Sequence, residues 1–263
     1  MTVELVLAGD VGEIVLNRPE KLNALDGAMT SALNERLDEA EAATVRALLV
    51  HGEGRGFCAG RDLAAADPVN EDATAILESM FNPLIRRIAG FPAPTFAAVH
   101  GACLGVGLGI ALACDVVYTA DDAKIGSPFA NTGGVLDSGG HFFLASFCFL
   151  ARFLANHRAL ELIYTGRLIS GREAASWGLV NRSVGRGSLV DVMREVATRV
   201  AAGPTAALLH SKWLIRRLDR ERLGLDDVLA AEAVAQGEVS RSHDYQEGYR
   251  AFLEKRPAAF TGA

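Results

Sequence analysis

Two glycine-punctuated stretches hold the residues best placed to do chemistry. The first is Gly54-Arg55-Gly56-Phe57-Cys58-Ala59-Gly60-Arg61-Asp62-Leu63, and the second is Val99-His100-Gly101-Ala102-Cys103-Leu104-Gly105-Val106-Gly107-Leu108-Gly109. Each follows a short apolar run that reads as a strand. Small residues in such loops let a ligand approach the main chain and leave N–H groups free to donate. The second stretch also runs into a helix start, whose first N–H groups lack intrahelical partners and favour developing negative charge. Nucleotide motifs fit less well: Gly105-Val106-Gly107 would need glycine where Ile110 stands, and no phosphate loop of the G-x-x-x-x-G-K-[S/T] type occurs. Cys58, Cys103, Cys114 and Cys148 form no C-x-x-C pair and no zinc-spaced cluster, so no metal is expected.

The elements around these loops follow from apolar spacing. Residues 2–7 and 11–16 read as two antiparallel strands joined at Gly9-Asp10. Asp26 is placed to cap a helix over 27–43, with Met29, Leu33 and Leu37 at helical spacing. Residues 47–51, 95–99 and 115–120 read as buried strands, and 73–89 as a helix closed by Gly90. This alternation predicts a mostly parallel sheet flanked by helices. Beyond residue 139 strands nearly vanish, and helices are expected over 139–153, 158–165, 172–177, 189–202, 204–217, 226–239 and 244–254. The expected organisation is an α/β core over 1–195 and a helical region over 196–263 used for packing or oligomerisation.

Composition excludes several classes. Of 263 residues, 50% are hydrophobic and 22% charged, which describes a chain able to bury a full core. A net charge of −6 argues against a nucleic-acid surface. Residues 88–114 carry no charged side chain and are long enough to span a bilayer, but Gly90, Pro92, Pro94, Gly101, Gly105, Gly107 and Gly109 interrupt them. They read as a protein core, so no membrane partner is expected. Free thiols without a basic-then-apolar leader point to the cytoplasm.

Several segments together resemble the enoyl-CoA hydratase/isomerase, or crotonase, superfamily: residues 16–25, Gly56–Leu63, Ala97–Gly101 with Leu112–Asp115, residues 166–170 and 174–180, and Ala251–Arg256. The resemblance spans nearly the whole chain. It implies a spiral of ββα units, a helical C-terminal trimerisation region, homotrimers or hexamers built as dimers of trimers, and acyl-CoA thioester substrates. No cofactor is implied beyond the coenzyme A that the substrate carries. The thioester oxygen would sit between the backbone N–H groups of Arg61 and Val106. Leu22, Ala24, Ala59, Asp62, Leu63, Leu104, Pro128 and Phe129 match positions that contact the CoA or acyl part, and Phe252 and Lys255 a C-terminal segment that closes over a CoA.

The acid–base residue separates the reactions. Where hydratases of the superfamily carry two glutamates, this chain has Gly109 and Phe129, and neither can move a proton. Asp137, in Leu136-Asp137-Ser138-Gly139-Gly140, falls where some relatives place a single catalytic aspartate, among them ring 1,2-epoxyphenylacetyl-CoA and Δ3,Δ2-enoyl-CoA isomerases. Apolar neighbours Leu136, Phe129 and Phe142 would raise its pKa toward that of a general base. The competing reading is that Asp137 caps the helix that follows. His100 reads as a structural hydrogen-bonding residue, and His141, beside the proposed pocket, as a helix histidine. The alternatives to an isomerase are an enoyl-CoA hydratase using water held by Asp137 or His141, and a CoA-ester-binding paralogue without turnover.

Overall fold

A computed structural model describes residues 1–67, 69–146 and 152–263. Strands β1 (Val3–Ala8) and β2 (Val11–Leu16) form an antiparallel pair, and helix α1 (Gly27–Ala42) follows. As the residue types predict, Asp26 caps α1, its carboxylate accepting the Met29 N–H at 2.8 Å, and Met29, Leu33 and Leu37 face the core. Strand β3 (Ala47–Gly52) then leads through the first glycine-rich loop to α2 (Ala73–Ile76) and α3 (Asn82–Ala89). A π-turn over Leu77–Phe81 separates α2 from α3, where the apolar spacing predicts one continuous helix. Pro83 supplies the reason: it has no N–H for the carbonyl four residues back, and the ladder widens just before it, with Asn82 N–H reaching Leu77 O.

The next units are β4 (Thr95–Val99), β5 (Ala102–Leu104) and α4 (Val106–Ala113), then β6 (Val116–Ala120), β7 (Lys124–Gly126) and α5 (Gly140–Ser146). Helix α6 (Arg152–Thr165), β8 (Ile169–Ser170), α7 (Gly171–Ser176), β9 (Arg182–Val184) and α8 (Leu189–Ala201) complete the core. Helices α9 (Thr205–Glu221), α10 (Leu225–Val239) and α11 (His243–Glu254) end the chain. The expected 139–153 helix is described only to Ser146; Phe147, Cys148 and Phe149 lie outside the described residues.

The first strands of successive units align in one sheet of order β1-β2-β3-β4-β6-β9, parallel from β2 onward. The second strands form a smaller sheet, β5-β7-β8, which the Cys58–Cys103 bridge extends toward the first loop. This is a ββα repeat wound into two stacked layers. Strands β2, β3 and β4 are buried along their whole length, as parallel strands covered on both faces must be. Helix α8 packs across β2, β3, β4 and β6 through Leu189, Met193, Ala197 and Ala201, so residue 195 falls inside an element of the core. Helix α9 is pinned by Lys212, whose ammonium donates to Phe91 O and Ala93 O and pairs with Asp115 at 2.8 Å. Among the described residues no helix is long and apolar enough to cross a membrane.

Candidate active site

The two glycine-rich loops meet at the ends of β3 and β4. Beyond β3 the chain runs beside β5: Phe57 N–H donates to His100 O, Cys58 N–H to Ala102 O and Leu104 N–H to Cys58 O, at 2.7–2.9 Å. It then pairs with Leu25, whose N–H donates to Gly60 O (2.7 Å) and whose carbonyl accepts the Asp62 N–H (2.8 Å). In a parallel bridge of this kind the residue between, Arg61, turns its own N–H to the opposite side. Gly105 N–H donates to Gly126 O at 3.2 Å, and α4 begins at Val106. The φ, ψ of +52°, −124° at Gly105 is a conformation side chains resist. A Cβ on Gly60 would meet Leu104 O at 3.0 Å, and one on Gly105 would lie 3.8 Å from Gly60 Cα. The Gly60–Arg61 and Gly105–Val106 peptides therefore lie side by side. Among the described residues neither the Arg61 nor the Val106 N–H donates to a protein acceptor. Two adjacent free amides of this kind can bind one oxygen on which negative charge develops.

The candidate carboxylate, Asp137, sits in an arrangement that the residue types do not announce. Asp137–Gly140 is a tight turn closed by Gly140 N–H on Asp137 O at 2.8 Å, with φ of +52° at Ser138 and +80° at Gly139. Ser138 is buried and backs onto α4: a Cβ on Gly109 would fall 2.4 Å from Ser138 O and 3.1 Å from Ile85 Cδ1. Only glycine at 109 leaves room for this turn. The helix-cap reading of Asp137 is not what the structure holds. Its Oδ1 accepts the Ser138 hydroxyl at 2.8 Å, and α5 starts beyond the turn with Phe143 N–H on Gly139 O. Burial pushes the Asp137 carboxyl above the usual range, against the Ser138 hydroxyl and the charges of Arg61 and His141, which hold it down. Leu136 is buried beside it, and Phe129 is half-buried with its ring edge near Gly105. Phe142 is largely exposed, stacked edge-on to Phe143.

The 17–25 segment proves to be the frame of the first loop. Asn23, fully buried and left-handed at φ +56°, accepts the Arg18 N–H (2.7 Å) and donates to Glu53 O (3.0 Å) and Gly56 O (2.8 Å). The Arg18 guanidinium spans Asp26 at 3.1 Å and Asp62 at 3.0 Å and donates to Ala24 O. Leu22 O accepts the Ala59 N–H. Leu22, Ala24, Ala59, Asp62 and exposed Leu63 thus share one edge of the loop, although the Asp62 carboxylate is taken up by Arg18 and the Ala64 N–H. Leu104 O would lie 3.0 Å from a Cβ on Gly60, and the ring of Phe129, which follows Pro128, 4.0 Å from one on Gly105. His100 Nε2 faces Gly54 O at 3.1 Å and burial lowers its pKa, a structural placement as expected. Apolar spacing gives no sign of Glu71, whose carboxylate pairs with the Arg61 guanidinium at 2.5 Å.

Phe252 and Lys255 are not brought to these loops within one chain. The tail behind their helix is fastened to Arg46, just before β3, by the Arg46 guanidinium donating to Phe260 O at 3.2 Å. The six residues of β3 put that anchor about 20 Å from the loop. Among the described residues no hydrogen bond, ion pair or ring contact joins Phe252 or Lys255 to the site.

The enoyl-CoA hydratase/isomerase family model matches residues 8–263 of the chain. The chain belongs to the enoyl-CoA hydratase/isomerase family. Within this family it is similar to 1,2-epoxyphenylacetyl-CoA isomerase of Escherichia coli, 37% identical over 254 residues that cover 95% of this chain and 94% of the relative. It is 35% identical over 259 residues to human mitochondrial enoyl-CoA hydratase domain-containing protein 2, covering 96% and 86% of the two chains. The crystal structure of an enoyl-CoA hydratase from Bacillus anthracis superposes over 100% of both chains, with a TM-score of 0.89 and 30% identity. The chain has the crotonase fold of this family, and members named for either reaction share it.

Proposed function

We propose that this enoyl-CoA hydratase/isomerase family member isomerises an unsaturated or aryl-derived acyl-CoA with Asp137 as its single proton carrier. The thioester oxygen binds between the Arg61 and Val106 N–H groups. The Asp137 carboxylate takes a proton from carbon, the C–H electron pair flows to that oxygen as an enolate, and the Asp137 carboxyl, whose proton exchanges with solvent, delivers a proton to a different carbon. No water enters the product. An oxyanion donor of this kind is worth about 3–4 kcal/mol of barrier. The contact between Gly109 and Ser138 carries the proposal. It leaves no room for a side chain at 109, and it packs the turn that carries Asp137 against α4, one helical turn beyond Val106, which supports Asp137 as the base. Similarity to the Escherichia coli 1,2-epoxyphenylacetyl-CoA isomerase supports the same reading.

The second reading, hydration of a 2-enoyl-CoA, draws on the likeness to the Bacillus anthracis hydratase. Mass spectrometry of 2-enoyl-, 3-enoyl- and aryl-CoA esters incubated with the enzyme in heavy water separates the two. Deuterium exchange or double-bond migration without gain of water is expected, abolished by Asp137→Asn with CoA-ester binding retained. A clean gain of water would overturn the proposal, and no change in any ester would leave the chain a CoA-ester binder.

The C-terminal helices expose Leu225, Leu229, Val234, Tyr249, Phe252 and Leu253, and a cavity of about 480 Å³ opens between α9 and α10, away from the loops. We read this face as the contact with other copies, in a trimer or a hexamer. There Phe252 and Lys255 would reach a neighbour's CoA. Light scattering on the purified chain tests this directly, with a monomer the contrary result.

A further inference from the structure

The residue that offers the first of the two amides is an arginine, and its side chain cannot be neutral toward a carboxylate base nearby. Gly60, before Arg61, lies against Gly105 at the start of α4, and Ser138, beside Asp137, packs on Gly109 one turn along the same helix, so the Arg61 side chain and the Asp137 carboxylate belong to one site. Asp137 uses Oδ1 to accept the Ser138 hydroxyl, and among the described residues Oδ2 has no donor. For a guanidinium released in this site, a direct charge-assisted pair with that open oxygen, the one a substrate proton must reach, is the favourable alternative partner. Arg61 is not unrestrained. Its Nη2 lies 2.5 Å from Glu71 Oε2, both side chains only about 30% exposed (30% and 28%), and Glu71 is itself fixed by its N–H on Asp67 O at 2.9 Å.

Resting on the reading of Asp137 as the base, we propose that Glu71 is a positioning residue: it holds the Arg61 guanidinium away from Asp137 and so keeps Oδ2 open for the substrate proton. The charged groups acting on Asp137 are few. Arg61 acts from the first loop and His141 from α5. Gly109 of α4, which packs on the neighbouring Ser138, and Ile85 of α3, which packs on Gly109, bring no charge. Asp62, next in sequence to Arg61, is engaged by Arg18 instead. The Arg61–Glu71 pair therefore sets how much positive charge the base feels.

The test is the pH dependence of kcat and kcat/KM for isomerisation of 3-hexenoyl-CoA by the full chain and its Glu71→Gln, Glu71→Asp, Arg61→Gln and Asp137→Asn variants. Arg61→Gln keeps the backbone N–H, so the paired amides survive. An opposite charge at contact lowers an aspartate pKa by about 1–3 units. Glu71→Gln, which frees Arg61, is expected to move the acid limb down by about one unit and to cut the plateau kcat about tenfold or more. Arg61→Gln is expected to move the acid limb up, and Glu71→Asp to restore most of the wild-type profile. Two variants of one ion pair that shift the limb in opposite directions cannot be explained by a loosened loop. The carboxyl carbon-13 shift of Asp137, identified by its loss in Asp137→Asn, reports the same two displacements without any substrate. A Glu71→Gln enzyme with the wild-type limb and plateau, or shifts of the same sign in both variants, overturns the proposal. Full turnover in Asp137→Asn would instead remove the reading beneath it.

Discussion

Replacing Gly109 by alanine puts a Cβ 2.4 Å from Ser138 O, 3.0 Å from Ser138 Cβ and 3.1 Å from Ile85 Cδ1. Non-bonded heavy atoms rest at about 3.5–4.0 Å, so the Asp137–Gly140 turn has to withdraw by about 1 Å. The contact on one side is backbone, which cannot swing aside as a side-chain end would. Overpacking of this size costs about 1–3 kcal/mol, while alanine in place of glycine inside a helix returns about 1 kcal/mol. The net loss of stability is then at most about 2 kcal/mol, a fall in Tm of no more than about 8 °C for a chain this long. The effect on turnover is larger. A displacement of about 1 Å in a catalytic group costs about a hundredfold in rate, or about 2.7 kcal/mol of barrier. Thermal melting beside kcat for isomerisation of 3-hexenoyl-CoA reads both quantities. Gly109→Ala should melt within a few degrees of the wild type and lose about two orders of magnitude in kcat. Wild-type kcat in a folded Gly109→Ala enzyme would refute the reasoning, because the turn would then not position the base.

Three further outcomes follow from the same geometry. Burial raises the Asp137 pKa in the folded chain, so between its unfolded and folded pKa values the native state holds more protons and stability falls as pH rises. Asp137→Asn should therefore melt at or above the wild-type temperature at pH 7, and a lower Tm would contradict the burial argument. Asn23→Ala strands buried partners on Arg18, Glu53 and Gly56 and places alanine at a left-handed φ, which should cost about 3 kcal/mol or more in denaturant unfolding. Gly237, inside α10, has no neighbouring atom within 4 Å of the place an alanine Cβ would take, so Gly237→Ala should raise stability by about 0.5–1 kcal/mol in the same measurement.

Strands β2, β3 and β4 are legible in the residues because each is an uninterrupted buried run, and α1 because Asp26 and the Met29-Leu33-Leu37 spacing agree. Strands β5, β7, β8 and β9 have two or three residues each, fewer than a period-two pattern needs. They are fixed by pairing partners far along the chain. The resemblance places Asp137 near the chemistry, but its conformation is hidden, since it rests on serine at φ +52° and on Gly109 leaving room for Ser138 against α4. The same limit applies to Asn23 and Glu71. Each acts through contacts with carbonyls or a guanidinium that only the folded loops bring together, and a residue type alone does not name its partner.

The paired amides at Arg61 and Val106 belong to the main chain, and that shapes how such a protein can diverge. Almost no point mutation can erase a backbone donor, so the anion-binding role proposed for them would pass through generations of side-chain change untouched. The proposed proton carrier has no such protection: it is one carboxylate, and substitutions at a handful of positions can delete it or install another. A lineage built this way can change its reaction without passing through an ancestor unable to grip its substrate. Overall likeness then tracks the grip, and the reaction must be read from the few positions where carboxylates stand or are missing.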